Sequence, residues 1–302
     1  MADNDTEPLR KPDWLRVRLS GGKEFSEIRE LVHGQKLHTV CEEAMCPNIH
    51  ECWGKHKTAT FMILGETCTR RCRFCAVKTG LPSPPDPDEP RRVAESVATM
   101  KLEHVVITMV TRDDLSDGGA TAVADTVRAI RELAPDCSVE VLVSDLMGDR
   151  DSIRIVTESL PAINSHNIET VRRLTQRIRS RSDHDRSLSY LRIVKELDSE
   201  ATTKSSLMLG LGETKEEILE ALHDLRGVDV DVVNLGQYLQ PTKAHAPVEK
   251  FWTPEEFVEL KEEALSRGFI YCESGPLVRS SYHAGSQYAA FLKQARDRRG
   301  TS

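Results

Sequence analysis

Six of the chain's eight cysteines fall between Cys41 and Cys75. Crowding of that kind, in a chain that carries no export signal, favours metal binding or catalysis over disulfides. The tighter group is Cys68-Thr-Arg-Arg-Cys72-Arg-Phe-Cys75, three thiols within eight residues. Soft sulfur ligands select zinc or iron–sulfur rather than harder ions. A structural zinc site closes with four ligands, which here would require a distant histidine such as His50 or His56. Three thiolates on a [4Fe–4S] cluster leave one iron open, and an open position is where a substrate or cofactor binds. Spacing and placement favour the cluster over zinc. Upstream stands a second array, Cys41-x4-Cys46-x5-Cys52. It is again one ligand short of a tetrahedral set, and by spacing alone it could be a structural metal knot pinning the N-terminus down. Cys137 and Cys272 stand alone and read as small buried hydrophobes.

Both groups need a scaffold. Short β-type runs occur at Thr60–Leu64, His104–Val110, Ser138–Val143, Ala162–Asn164, Ser205–Gly210 and Val230–Leu235. Amphipathic helical stretches follow at Arg91–Met100, Ala120–Leu133, Arg150–Ser159, Ile168–Arg179 with Leu188–Leu197, and Lys215–Arg226. Strict alternation gives parallel strands with helices outside, and about six such units make an open, partial TIM barrel of the α/β class rather than a closed one. Its working face is the C-terminal end of the strands, and the CxxxCxxC loop directly follows the first strand. The proline-rich stretch 81–90 reads as an extended connector. The expected organisation is an N-terminal extension over 1–57 that is polar and irregular apart from a short helix from Glu24 to Gly34, a barrel over 58–245, and a C-terminal extension over 246–302. The extension would hold a helix at Pro254–Arg267, a strand near Phe269–Cys272 and a terminal helix from about Ala284.

The chain has 302 residues, enough for one such barrel, and a net charge of −7 gives no general reason to expect nucleic-acid binding. Its uninterrupted apolar stretches are far short of the roughly 20 residues that span a membrane. The acidic start lacks a signal core or a transit pattern, so a soluble cytoplasmic protein is expected, with neither nucleic acid nor membrane as partner.

Several words of the sequence resemble one family closely. They are His38-Thr-Val-Cys-Glu-Glu-Ala-Met-Cys-Pro-Asn with Glu51-Cys52-Trp53, the Cys68–Cys72 word, Arg112-Asp-Asp-Leu with Asp117-Gly118-Gly119-Ala, His166-Asn167-Ile-Glu-Thr-Val, Lys204-Ser-Ser-Leu-Met-Leu-Gly-Leu-Gly-Glu213-Thr, Gly236-Gln237-Tyr238-Leu-Gln-Pro241 and Pro276-Leu-Val-Arg279-Ser280-Ser281-Tyr282-His283-Ala. CxxxCxxC with Phe74 before its last cysteine looks like the radical S-adenosyl-L-methionine (SAM) superfamily. The second array and the Arg-Ser-Ser-Tyr word are similar to lipoyl synthases within it, and the likeness runs from about Lys11 to Gly285. One departure is the loop Ser180–Leu188, where the family's usual proline and aromatic are absent.

The resemblance implies a sulfurtransferase that inserts sulfur at C6 and C8 of an octanoyl chain on a carrier-protein lysine. Cys68, Cys72 and Cys75 would hold the SAM-cleaving [4Fe–4S] cluster. Cys41, Cys46, Cys52 and Ser281 would hold an auxiliary [4Fe–4S] cluster that donates the sulfur, and two SAM molecules would be consumed per lipoyl group. Its implied partners are octanoylated carriers (E2 lipoyl domains of 2-oxoacid dehydrogenases and the glycine cleavage H protein), an electron donor such as ferredoxin or flavodoxin, and an iron–sulfur carrier that rebuilds the auxiliary cluster. From the residues alone, Ser280 and Ser281 read equally as a turn or helix cap. SAM contacts are expected at Gly118 and Gly119, at Asn167, and at Gly210 and Glu213. A tight turn is the competing reading at Gly118–Gly119, as a helix N-terminus is at Gly210–Glu213. At the end of the fourth strand Asn164 joins Asn167 as a candidate, and His166 reads as a structural histidine. The run Arg172, Arg173, Arg177, Arg179, Arg181 and Arg186 reads as a solvated face or as a docking surface for an acidic carrier domain. Two rivals remain. A biotin synthase or methylthiotransferase would lack the Cys41/Cys46/Cys52 array joined to Arg-Ser-Ser-Tyr, and a two-cluster electron carrier would not need the barrel.

Overall fold

The computed structural model describes residues 10–16, 22–54 and 60–300. In chain order the elements before the barrel are α1 (Lys23–Gly34), β1 (His38–Thr39), α2 (Val40–Glu43) and α3 (Ile49–Gly54). The barrel opens with β2 (Thr60–Ile63), the small pair β3 (Thr67–Cys68) and β4 (Lys78–Thr79), and α4 (Glu89–Met100). It continues through β5 (His104–Met109), α5 (Ala120–Leu133), β6 (Ser138–Leu142), α6 (Arg150–Glu158), β7 (Ile163–Ser165), α7 (Arg172–Ile178) and α8 (His184–Leu197). Then come β8 (Thr203–Leu209), α9 (Lys215–Arg226), β9 (Val232–Gln237), α10 (Pro254–Ser266), β10 (Tyr271–Gly275) and α11 (Ala284–Gly300).

One eight-stranded sheet runs β1-β2-β5-β6-β7-β8-β9-β10. Every pairing in it is parallel except β1 with β2. The six expected strands are therefore neighbours in order, and among the described residues the two ends of the sheet do not pair, which leaves the barrel open. The strand expected in the C-terminal extension behaves differently. It pairs with β9 as a seventh parallel strand, so the sheet extends past residue 245.

Local chemistry explains the helix starts. Thr214 and Thr253 each make a capping box with a glutamate three residues on, Glu217 and Glu256. Asp149 and Asp183 cap α6 and α8. Pro90 sits inside the first turn of α4 rather than in the connector, a position where the missing N–H costs nothing. Among the described residues of the N-terminal extension, the expected helix is present as α1, and two further short helices carry Cys41 in α2 and Cys52 in α3.

Candidate active site

The loop from Cys68 to Cys75 is moored on every side. The Cys68 carbonyl accepts from Gly80 N–H at 3.1 Å, and Arg73 N–H donates to the Ile178 carbonyl at 2.8 Å. Cys72 forms an isolated antiparallel bridge with Arg179. His245 Nε2 lies 3.0 Å from the Cys75 carbonyl, and Ala246 N–H donates to Arg73 O at 2.8 Å. At the loop's centre the buried Arg70 guanidinium is bidentate to both Asp113 and Asp145, at 2.7–3.0 Å. Asp145, fully buried, also accepts from Arg186 Nε at 2.8 Å.

That network carries a prediction. Burial alone would push the Asp145 carboxyl up, but the Arg70 hydrogen bonds, His166 and Arg186 together hold it far below the usual carboxylate range. Its stabilising contribution is therefore complete at neutral pH and is lost as pH falls below the ordinary aspartate value of about 4. Asp145→Ala, which leaves Arg70 and Arg186 short of a partner, costs about 3 kcal/mol. Chemical denaturation at pH 7 and at about pH 2 measures it, and the gap between variant and wild type narrows at the lower pH, where the unfolded aspartate is protonated.

The second cysteine array is assembled from both ends of the chain. Thr39 caps α2 and so sets Cys41, whose carbonyl then accepts from Cys46 N–H at 3.1 Å. Asn48 Nδ2 donates to the Leu277 carbonyl at 2.8 Å, and Tyr282 Oη donates to Glu51 at 3.1 Å. Ser281 Oγ accepts from Thr60 Oγ1 at 2.9 Å. Ser281 stands three residues before the first residue of α11, and its hydroxyl is engaged by the barrel. Gly236 makes this approach possible, because a Cβ there would fall on the Val278 carbonyl.

Cys41, Cys46, Cys68, Cys72, Cys75 and Ser281 all line one cavity of about 500 Å³. Much of the cavity wall is apolar, including Met62, Val110, Leu142 and Met208. Cys52 lines a smaller adjoining cavity together with Cys41, Cys46, Thr60, His104 and Ser281. All eight cysteines are free. Burial pushes the Cys72 and Cys41 thiols up to about 12 and Cys75 to about 11, and raises Cys46. An arginine opposes this in each array, the buried Arg179 beside Cys72 and the half-buried Arg279 beside Cys46. Thiols that stay neutral alone but sit beside fixed cations suit an incoming metal cluster, which displaces their protons.

Of the expected SAM contacts, Asn167 lines the cavity, and its Oδ1 is buried without a hydrogen-bond partner among the described residues. Its Nδ2 donates to Glu169 at 3.1 Å. Glu169 also lines the cavity, in a left-handed conformation (φ 63°), with its carboxyl pushed up by burial. Sequence reasoning missed Glu169 and Arg279 as cavity residues, for no pattern distinguishes a strand-end glutamate from a helix-start one. The unpartnered acceptor and the neighbouring carboxyl fit a polar ligand.

The remaining expected contacts do not line that cavity. Gly118 packs on Leu146, and Gly119, at φ 93°, packs on Leu64 and Met109 in a turn closed by the Asp117 carboxylate. Gly210 is pressed against Gln237 and Lys250. Glu213 is consumed by the Gly210 and Leu211 N–H groups and the Trp252 indole. These four residues shape loops outside the cavity wall. Asn164 is turned away too, bonded to Tyr190 at 2.6 Å. His166 lines the cavity yet is structural in its contacts, with Nδ1 2.9 Å from Val143 O and its pKa lowered to about 4 by burial.

The arginine run is not an open basic face. Arg172 pairs with Asp185 and Asp224, Arg173 with Glu217, and Arg177 with Glu249. Arg186 reaches Asp145, and Arg179 is buried against Ile168 O and Ser187. Four of the six arginines thus have acidic partners, while the exposed Arg181 donates to the Thr69 carbonyl.

Comparison with known proteins agrees with this geometry. The family model for the radical SAM superfamily matches residues 62–225, and the model for the N-terminal domain of lipoyl synthase of that family matches residues 1–46. A lipoyl synthase of Shouchella clausii is 58% identical over 285 residues, covering 94% of this chain and 92% of its own. One from Halalkalibacterium halodurans is 59% identical over 281 residues, 93% of each chain. Among solved structures, methylornithine synthase matches with a TM-score of 0.54 at 14% identity, covering 83% of this chain and 74% of its own. SuiB of Streptococcus suis bound to S-adenosylmethionine matches at 0.56 and 13%, covering 75% and 53%. These two share the fold. Among the described residues no helix is long and apolar enough to cross a membrane.

Proposed function

The chain belongs to the lipoyl synthase family of radical SAM enzymes, and from that premise we propose how its own residues divide the work. The reaction inserts two sulfur atoms at C6 and C8 of a protein-bound octanoyl-lysine, and a lipoyl-carrier protein is the substrate. Cys68, Cys72 and Cys75 hold one [4Fe–4S] cluster, while Cys41, Cys46, Cys52 and Ser281 hold the auxiliary one. When bound, the first cluster and SAM supply the radical that abstracts hydrogen, and the auxiliary cluster supplies sulfur, two SAM being consumed per product.

One observation carries this reading: five cysteines from the two arrays and Ser281 line a single cavity with an apolar wall. Met62, Val110, Leu142 and Met208 take the octanoyl chain and exclude water from it. Asn167, with its unpartnered oxygen, and Glu169 take polar groups of SAM. Arg179 and Arg279 offset the negative charge that three thiolates bring to each site. The extensions at 1–57 and 246–302, stitched by the Asn48–Leu277 and Glu51–Tyr282 bonds, close the auxiliary site onto the barrel at 58–245. The carriers are E2 lipoyl domains and the glycine cleavage H protein. A ferredoxin or flavodoxin supplies electrons, an iron–sulfur carrier rebuilds the auxiliary cluster, and the compartment is the cytoplasm.

Ser281 offers a first test. A serine oxygen binds iron far less well than a thiolate, which suits a cluster that gives up its atoms. Ser281→Ala lowers lipoyl formation to a few per cent of wild type or below, with little change in melting temperature, since even a lost helix cap costs only about 1 kcal/mol. An active Ser281→Ala beside an inactive Ser280→Ala would move the ligand to the neighbouring serine.

A further inference from the structure

We propose that Thr60 is a positioning residue of the auxiliary site, holding Ser281 where a fourth ligand is required; the inference rests on the reading of Ser281 as that ligand. Thr60 is the first residue of β2 and is buried. Its hydroxyl donates to Ser281 Oγ at 2.9 Å, across 221 positions of sequence. Its backbone also hydrogen-bonds the Cys41 thiol and opposes the effect of burial there. Thr60 thus touches one proposed ligand from each end of the chain, and it lines both the large cavity and the smaller one that holds Cys52. The other proposed ligands of this site come from the extensions, so Thr60 is where the barrel takes hold of it.

The chemistry favours ligation. A hydrogen bond to an oxygen that carries metal-bound anionic charge is about twice as strong as one to a neutral hydroxyl. The Thr60 hydroxyl therefore stabilises the ligated form more than the free one, and it fixes the Ser281 rotamer in advance. Serine is a poor ligand for iron by itself, so a contact of this kind weighs heavily.

The test replaces Thr60 by Val, which keeps the volume and the branched shape suited to a strand and removes only the hydroxyl. The full chain carries Cys68→Ala, Cys72→Ala and Cys75→Ala throughout, so that only the auxiliary cluster is seen. After anaerobic reconstitution, Thr60→Val loses its first iron to a chelator about tenfold faster than its parent and accumulates the electron paramagnetic resonance signal of a three-iron cluster. Thr60→Ser, which restores the donor, releases iron at the parent rate, and it does so even if Thr60→Val proves poorly folded, in which case Thr60→Ala gives the fast rate. Equal release rates and spectra in the Val, Ala and parent proteins, or slower release in the Val and Ala variants, would overturn the proposal. Ser281→Ala separates the two claims. Where it changes rate and spectrum while Thr60→Val and Thr60→Ala do not, Thr60 is not the positioning residue and Ser281 remains the ligand. Where it too changes nothing, the ligand reading falls and takes the proposal with it.

Discussion

Replacing Cys68, Cys72 or Cys75 by alanine abolishes SAM cleavage, whereas replacing Cys41, Cys46 or Cys52 leaves SAM cleavage intact and abolishes the lipoyl product. The asymmetry follows from how the two arrays are held. The Cys68–Cys75 loop is fixed by contacts within the barrel: Arg70 to Asp113 and Asp145, Cys72 to Arg179, and His245 to the Cys75 carbonyl. None of these involves the N-terminal array, so loss of a cysteine there leaves the first site in place. Loss of one of three thiolates within either loop removes a ligand that the neighbourhood does not replace, because the other free cysteines, Cys137 and Cys272, are buried outside both cavities. Quantifying 5′-deoxyadenosine and lipoyl-lysine in the same reaction reads both outcomes. Iron content separates the cases again, at about eight per wild-type chain and about four in a variant that has lost one cluster. Loss of SAM cleavage in Cys46→Ala would mean that the arrays do not work independently.

Much of this was legible before any coordinates. The six barrel strands are short apolar runs between helical periodicities, and burial on both faces of a parallel sheet produces that pattern. Two cysteine arrays of fixed spacing are readable because ligand geometry restricts spacing. The boundaries that failed did so for tertiary reasons. The helix expected from Ile168 begins at Arg172, because Glu169 turns left-handed and Met208 N–H donates to its carbonyl, extending the sheet instead. At Gly118, Gly119 and Gly210 a glycine at a strand end signals close approach without saying by what. Here the approach is by Leu64, Leu146, Gln237 and the Lys250 carbonyl. The arginine run is less open than it reads, because a sequence shows its cations side by side but not the aspartates and glutamates, as far off as Glu249, that come to meet four of them. Thr60 carries no motif at all. Its place beside Ser281 exists only once a strand from the start of the barrel meets a loop from the end of the chain.

The central claim is that the sulfur entering the product arrives with the protein. An unactivated methylene offers no acid–base handle, so the sulfur must already stand beside the carbon when the radical forms, and proximity in one cavity outweighs any dilute sulfide in solution. The cavity that both arrays line supplies that proximity, and much of its wall is apolar. One chain therefore makes at most one lipoyl group before it must be rebuilt, and its second array loses iron as it does so. The measurement is a single turnover of protein reconstituted with heavy-isotope sulfide, run with light sulfide in solution and read by mass spectrometry of the lipoyl product. Heavy sulfur at both C6 and C8 is the expected result, and light sulfur in that first product would rule out the auxiliary cluster as donor.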